Sequence, residues 1–232
     1  MVELNGVTKS YPIGKEGHVQ VLVGIDLALR AGEFMALMGP SGSGKSTLMN
    51  IIGCLDRHDK GRYILDGDNV GELDDDGLSS LRGTKIGFVF QFFNLIPQLD
   101  VRENVELPLF YQGVSRSERR QRAEHALERV GLAHRVGHRP NQISGGEMQR
   151  VAIARSLITD PILLIGDEPT GNLDSKTGKA ILELFHQLHA QGVSLLLVTH
   201  DRGVGEQAER VLHMRDGALV DDKTVSQIAV TP

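Results

Sequence analysis

Glu33-Phe34-Met35-Ala36-Leu37-Met38-Gly39-Pro40-Ser41-Gly42-Ser43-Gly44-Lys45-Ser46-Thr47 is the stretch that decides the fold. Its second half has the G-x-x-x-x-G-K-[ST] spacing of a phosphate loop. Its first half is a short apolar run that predicts a buried strand, and Leu48 through Leu55 continues as a helix. Glycines let the backbone curl so that successive N–H groups point inward at phosphate oxygens, and the helix start adds partial positive charge. Lys45 is placed to reach the β- and γ-phosphates and the Ser46 hydroxyl to ligate Mg²⁺. The stretch therefore predicts a site for a nucleoside triphosphate.

Outward from this loop, 232 residues suit one large domain or one domain with a subdomain. A hydrophobic share of 40% with 24% charged residues is ordinary for a globular chain with a substantial core. The formal charge of -5 leaves no basic excess to neutralise nucleic-acid phosphates. The basic run Arg116 to Arg122, interleaved with Glu118, reads as a solvated helix face. Cys54 is the only cysteine, so no intrachain disulfide forms, which fits a reducing compartment. No apolar run of about 18 residues is present, and the N-terminus lacks the pattern of a signal peptide. The expectation is a cytosolic chain whose membrane role comes through a partner.

Val19–Val23 and Ile25–Leu29, with Gly24 between, read as antiparallel strands, and Tyr11 before Pro12 reads as part of an exposed loop. Asp74-Asp75-Asp76 starts a short helix, where carboxylates favour the positive end of the dipole. Ile86–Phe90 is a second buried strand ending at Gln91. Most of the few aromatics lie between Phe88 and Tyr111, and core is the simplest reading for the majority of them. Ser115-x-x-Glu118 and Ser144-x-x-Glu147 are capping boxes that open helices, the first closed by Gly131. Residues 92–159 thus form a helical insertion between the β-rich and core segments 1–91 and 160–232. Ile162–Ile165 and Val193–Val198 are further apolar strands, and Asp216-Gly217 marks a hairpin. Apolar strands alternating with helices predict a parallel sheet covered on both faces.

Asp167 and Glu168 end an apolar strand, where ligand sites gather in open α/β sheets. Asp167 is suited to hold Mg²⁺ through water, and Glu168 to accept a proton from, or orient, the water attacking the γ-phosphate. Ser144-Gly145-Gly146-Glu147 is by itself a well-capped helix start, although a Gly pair after the capping Ser leaves amides open to an anion. One chain cannot easily bring two such sites to one triphosphate, whereas two chains set head to tail can. Gln91 and His200 follow strands that should neighbour the phosphate-loop strand, where each is placed for γ-phosphate or water contacts. His186 and His189 lack a third ligand and read as surface residues.

Taken together, the phosphate loop, Gln91, Ile143-Ser144-Gly145-Gly146-Glu147-Met148-Gln149-Arg150, Ile162 to Thr170 and His200 stand in the order of an ATP-binding-cassette (ABC) transporter ATPase. The chain resembles that family over essentially its whole length. Gly39–Asp56, Phe88–Pro97 and Asp167–Asp174 look like its lipoprotein-releasing LolD and macrolide-export MacB branch. The resemblance implies an α/β P-loop NTPase (RecA-like) core with an N-terminal antiparallel β subdomain and an inserted α-helical subdomain. It implies that Tyr11 stacks on adenine and that Gln91 senses Mg²⁺ and connects to the permease. Ser144 and Gly146 would bind the opposing subunit's γ-phosphate, Asp174 would lie at the dimer seam, and His200 would contact the γ-phosphate. Ile143, Met148 and Gly166 depart from the usual pattern, and Gly166 could loosen the strand before Asp167.

The implied assembly is a homodimer on ATP binding, with Mg²⁺ as cofactor and no nucleic acid. It would sit at the cytoplasmic face of the bacterial inner membrane, held by a permease of the LolC/LolE or MacB-like type. The aromatic-rich region after Gln91, with Pro97 and the helix that follows, would take a short helix of that permease. Cargo stays open among lipoprotein, peptide, antibiotic and glycolipid. An FtsE-like regulatory ATPase is the alternative. A repair ATPase would need a long coiled coil before the signature, and a translation ATPase a second cassette.

Overall fold

The computed structural model describes residues 1–14 and 17–224. Two compact units form, one from Met1–Arg82 with the chain from Ser194 onward, the other from Gly83–Val193. The first contains β1 (Val2–Ile13), β2 (Gly17–Leu29), β3 (Phe34–Met38), α1 (Lys45–Ile52), β4 (Lys60–Leu65), β5 (Asp68–Asn69) and most of α2 (Asp75–Lys85). The second contains β6 (Ile86–Phe90), α3 (Val101–Tyr111), α4 (Arg116–Arg129), α5 (Gly145–Leu157), β7 (Leu163–Asp167) and α6 (Ser175–Ala190). The chain then returns to the first unit with β8 (Ser194–Val198), the one-turn α7 (Arg202–Gly205), β9 (Arg210–Arg215) and β10 (Ala218–Thr224).

An antiparallel sheet in the order β2-β1-β4-β5 forms the N-terminal part of the first unit. In the same unit β3 runs parallel to β8 on one side and to β9 on the other. Every residue of β3 and β8 is buried, as expected of central parallel strands covered on both faces. Asp216 and Gly217, both at positive φ, turn β9 into β10 as their sequence predicts. Tyr63 is fully buried, and its hydroxyl donates to the Ile52 carbonyl at 2.6 Å, so its one polar atom is satisfied.

In the second unit β6 and β7 pair in parallel, from Ile86↔Leu163 to Phe90↔Asp167. Gly166 sits opposite Val89 in an unbroken ladder, so it does not loosen the strand before Asp167. α3, α4 and α5 pack on one another and bury Val101, Val105, Leu127 and Val151, and α6 buries Ile181, Leu184, Phe185 and Leu188. This unit is wider than the insertion at 92–159, since β6, β7 and α6 belong to it as well.

Four expectations need correction. Val19–Val23 and Ile25–Leu29 are one strand, β2, because the pairing with β1 shifts register at Gly24 and continues. An isolated Gly in such a strand marks a bulge, not a turn. Tyr11 and Pro12 lie in β1, opposite Val19 and His18. β1 pairs with β4 only through Thr8, so Pro12 sits where no ladder bond is required of it on that side. Ser115 forms half a capping box: its Oγ accepts from the Glu118 amide at 3.4 Å, while the Glu118 carboxylate lies 3.8 Å from Arg122. None of the aromatics from Phe88 to Tyr111 is core; Phe92 is 73% exposed and Tyr111 82%.

Cys54 is 2% exposed, and burial pushes its thiol up to about 11. The native protein is therefore expected to show no thiol reactive toward Ellman's reagent at pH 7.5, and one equivalent after denaturation. Fast labelling of the folded chain would show that the packing around α1 opens readily.

Candidate functional site

In the first unit, the phosphate loop leaves the buried end of β3. Gly39 has no room for a side chain: a Cβ there would lie 2.3 Å from the Met214 carbonyl oxygen and 2.8 Å from Ser43 Oγ. Gly44 caps α1 at φ +100, with no side chain bonded to the helix start and no acidic residue in its first turn. Lys45 Nζ donates to the Gly39 and Pro40 carbonyls, at 2.8 Å each. Ser43 Oγ is buried with no hydrogen-bond partner among the described residues. An orphaned hydroxyl, a close-packed Gly and a lysine resting on loop carbonyls make a cradle suited to phosphate oxygens.

Two neighbours complete this half. The Thr199 amide donates to the Leu37 carbonyl at 3.1 Å, so exposed His200 follows directly beside the end of β3. Tyr11 is fixed at its hydroxyl, which donates to Asp56 Oδ2 at 2.6 Å. Lys9 Nζ donates to Asp56 Oδ1 at 2.6 Å and lies 5.0 Å from the centre of the Tyr11 ring, a cation–π distance. Burial alone would raise the Asp56 carboxyl, and Lys9, the Tyr11 hydroxyl and the Arg57 amide together hold it below its usual range.

In the second unit, β7 ends at half-buried Asp167 and Glu168. Glu168 has φ +45, a left-handed backbone that costs a non-glycine residue roughly 1–2 kcal/mol and clusters at functional sites. The turn is braced by the Gly171 amide on the Glu168 carbonyl, 3.0 Å, and by buried Gln149 donating to the Pro169 carbonyl, 2.5 Å. Gln91 exchanges two hydrogen bonds with Asn172, Nε2 to Oδ1 at 3.2 Å and Asn172 Nδ2 to the Gln91 carbonyl at 3.1 Å. After Gln91, Phe93 and Asn94 are both left-handed, at φ +62 and +49. Arg155 donates to both their carbonyls, at 2.9 and 2.7 Å. Charge-assisted bonds of about 1.5–3 kcal/mol each offset the strain of that turn.

Ser144 opens α5 with a complete capping box. Its Oγ accepts from the Glu147 amide at 3.3 Å, and Glu147 Oε2 accepts from the Ser144 amide and hydroxyl at 2.8 Å. Gly146 is pressed against α6, where a Cβ would lie 2.3 Å from Thr177 Cγ2. Asp174 caps α6 through the Lys176 and Thr177 amides and the Thr177 hydroxyl. That hydroxyl, foremost, holds the Asp174 carboxyl below its usual range.

The family profile described as ABC transporter matches residues 22–171. The chain belongs to the ABC transporter ATP-binding family. It is 52% identical over 220 residues to an uncharacterized ABC transporter ATP-binding protein, YknY, of Bacillus subtilis, with 95% of each chain covered. It is 47% identical to the macrolide export ATP-binding/permease protein MacB of Hyphomonas neptunium, matching with 99% of its own length but 35% of that protein's. Pyoverdine export ATP-binding/permease protein PvdT of Pseudomonas fluorescens is similar, at 49% identity over 99% of this chain and 35% of that one. Among solved structures, the dimeric post-hydrolysis state of the ATP-binding cassette MJ0796 bound to ADP and Pi superimposes with a TM-score of 0.87. Its identity is 46%, and the match covers 97% of this chain and 99% of that one. As an ABC-type ATPase of the MacB-type branch, the chain has the mixed α/β P-loop fold that its sequence predicts.

Within this ABC ATPase the expected residues fall into two groups. Tyr11, the phosphate loop and His200 lie in one unit; Gln91, Ser144 to Glu147, Asp167, Glu168 and Asp174 lie in the other. Gln91 departs from its expected setting: its strand, β6, has β7 as ladder partner and not the phosphate-loop strand. Sequence reasoning missed Lys9, Asp56, Arg135 and Arg155, since each acts on a residue distant in the chain. Their only sequence signal is charge beside a motif. Half-buried His186 and His189 belong to no group of three metal-ligating side chains among the described residues.

The Gly146 packing gives a direct test. Gly146→Ala is expected to destabilise the chain by about 1–3 kcal/mol through overpacking. Thr177→Ser, which removes Cγ2 and keeps the hydroxyl on Asp174, should restore most of that loss in urea denaturation. A Gly146→Ala chain as stable as the parent would contradict the packing described.

Proposed function

We propose that this chain is the ATP-hydrolysing subunit of an export-type transporter, working as a nucleotide-closed homodimer on a separate membrane permease. The observation that carries the reading is the phosphate loop, with Lys45 resting on the Gly39 and Pro40 carbonyls and Ser43 Oγ buried without a partner. In this reading the backbone N–H groups of the loop from Gly39 to Thr47, Pro40 having none, surround the phosphates, and Lys45 leaves its two carbonyls for the β- and γ-oxygens. Tyr11, held by Asp56, offers the ring face not taken by Lys9 to adenine. Ser46, Gln91 and Asp167 are the residues that would hold Mg²⁺. Their hydroxyl, amide and carboxylate oxygens are the hard donors that magnesium takes. Magnesium supplies neutralisation of the charge that develops on the γ-phosphoryl oxygens.

Glu168 takes the proton of, or aligns, the attacking water, and its left-handed backbone sets the carboxylate apart from the line of β7. His200 contacts the γ-phosphate. Ser144 to Glu147 serve the nucleotide of the opposing subunit, and Asp174 stands at the seam between subunits. The MJ0796 cassette dimer and the ATP-binding/permease relatives support both the dimer and the permease.

The permease is proposed to be MacB-like rather than LolC/LolE-like, because MacB and PvdT are export proteins by name. No helix among the described residues is long and apolar enough to cross a membrane. Attachment at the cytoplasmic face through the permease is proposed in keeping with the ATP-binding/permease relatives. Its docking surface is proposed at α3 and α4, where a cavity of about 330 Å³ is lined by Leu99, Arg102, Glu106, Leu107, Phe110 and Arg119. Phe92 and Ile96 before α3, and Phe110 and Tyr111 at its end, are exposed apolar side chains of the same unit. Exposed apolar area of this kind marks a partner surface.

Two experiments test the reading. Glu168→Gln is expected to bind Mg·ATP as the parent does, to lose turnover by about a hundredfold or more, and to sediment as a dimer with ATP. A monomer at saturating Mg·ATP, alone and with permease, would overturn the homodimer. Ser144→Arg, placed in one subunit of a mixed dimer, should silence the site whose phosphate loop belongs to the other subunit. Loss confined to the mutated chain's own phosphate loop would contradict the head-to-tail arrangement.

A further inference from the structure

Ser144 is set to meet an anion, yet its hydroxyl rests on a carboxylate. Glu147 Oε2 takes hydrogen bonds from the Ser144 hydroxyl and amide, both at 2.8 Å. A phosphate oxygen arriving at Ser144 Oγ therefore comes within a few ångströms of a negative charge, a repulsion that partial burial leaves poorly screened. The opposite oxygen, Glu147 Oε1, accepts from Arg135 Nε at 2.8 Å. The pair is mostly enclosed, with side-chain exposures of 33% for Arg135 and 17% for Glu147.

Arg135 is not a roaming surface side chain. A second guanidinium nitrogen lies 3.2 Å from His138 Nε2. The backbone around it is pinned to the start of α3, since the Val101 amide donates to the His138 carbonyl at 2.8 Å and the Arg102 amide to the Val136 carbonyl at 3.2 Å. The Ser144 amide, then its hydroxyl and Arg135, hold Glu147 down to about 2 against the effect of burial. The carboxylate is thus charged at every working pH, and something must compensate that charge.

We propose that Arg135 is a positioning residue for ATP turnover: it neutralises Glu147 and fixes its carboxylate, so that the Ser144 hydroxyl can turn from Glu147 to the γ-phosphate in the opposing subunit. The proposal rests on the head-to-tail reading of Ser144. Without Arg135 the Glu147 charge is left to the Ser144 amide and hydroxyl alone; it repels the phosphate and keeps the hydroxyl for itself. A glutamine at position 147 removes that repulsion and still accepts from the Ser144 amide.

The test is a double-mutant cycle in the full chain, reading the ATP concentration for half-maximal turnover and the maximal rate separately. Arg135→Ala is expected to raise the half-saturating concentration about tenfold, and Glu147→Gln about threefold. The combined variant should stay near the Glu147→Gln value instead of the roughly thirtyfold loss that independent effects would give. Nucleotide binding by the separated subunits, measured by equilibrium dialysis, should match the parent in all three and so report an intact phosphate loop. Should Arg135→Ala not fold, Arg135→Gln gives the same reading, because it keeps a donor and removes the charge. A combined variant as weak as Arg135→Ala, or weaker, would make Arg135 a brace of the fold and end the proposal, as would parent kinetics in Arg135→Ala. Ser144→Arg in the same assay separates the two readings. If it turns over normally the head-to-tail arrangement falls; if it is dead while Arg135→Ala is normal, only the role of Arg135 falls.

Discussion

Burial of β3 on both faces is the constraint on which the first unit depends. Five consecutive positions, Phe34 to Met38, are closed off from solvent, with β8 and β9 as ladder partners on either side. A strand so enclosed can present polar groups to a ligand only at its end. There the chain must reverse from strand to helix inside about six residues, beneath a neighbouring carbonyl that leaves Gly39 no space for a Cβ. The same enclosure places Thr199 and His200 at the level of the loop, because β8 runs parallel to β3 and ends with it.

The second unit works differently. Its functional turns are not extensions of buried strands alone; side chains that bond to backbone carbonyls hold them. Arg155 clamps Phe93 and Asn94, and Gln149 clamps Pro169. Asn104, fully buried on α3, holds the segment leading into that helix, accepting from the Ile96 amide and sharing its two amide hydrogens among the Ile96, Leu99 and Asp100 carbonyls. A buried polar side chain of this kind is costly to leave unpaired, so the loop it holds is specified almost as tightly as a strand. Left-handed residues persist at Phe93, Asn94 and Glu168 for the same reason.

How much of this was legible depends on sequence distance. Motifs whose physics is local, such as the phosphate loop, the Ser144 capping box and the Asp216-Gly217 hairpin, declare themselves within a few residues. Continuous apolar runs gave β3, β6, β7 and β8 without difficulty. Gly24 misled because a Gly signals a turn and a bulge alike, and only the register with β1 separates them. The aromatics from Phe88 to Tyr111 misled because hydrophobicity predicts burial only on average, and an exposed apolar surface has the same composition as a core. Tyr11 with Asp56, Arg135 with Glu147 and Arg155 with Phe93 are separated by 45, 12 and 62 positions, so nothing in the linear pattern joins them.

The two helix starts proposed to handle phosphate are built to opposite specifications. α1 begins on Gly44 with no side-chain cap and no acid in its first turn, leaving its amides and dipole to a ligand. α5 begins with its capping box closed and a carboxylate in its first turn, so its own side chains already satisfy the groups an anion would seek. A phosphate can bind α1 by displacing little more than the Lys45 contacts to two carbonyls. At α5 it must take the Ser144 hydroxyl away from Glu147, and no free phosphate has reason to do so. On the proposed reading, the second site would gain its ligand only when that ligand is delivered already bound and correctly aimed. In the proposed function this makes α1 the residence of the nucleotide and α5 a reader of it, and it would give the order of events a physical cause: binding first, closure after.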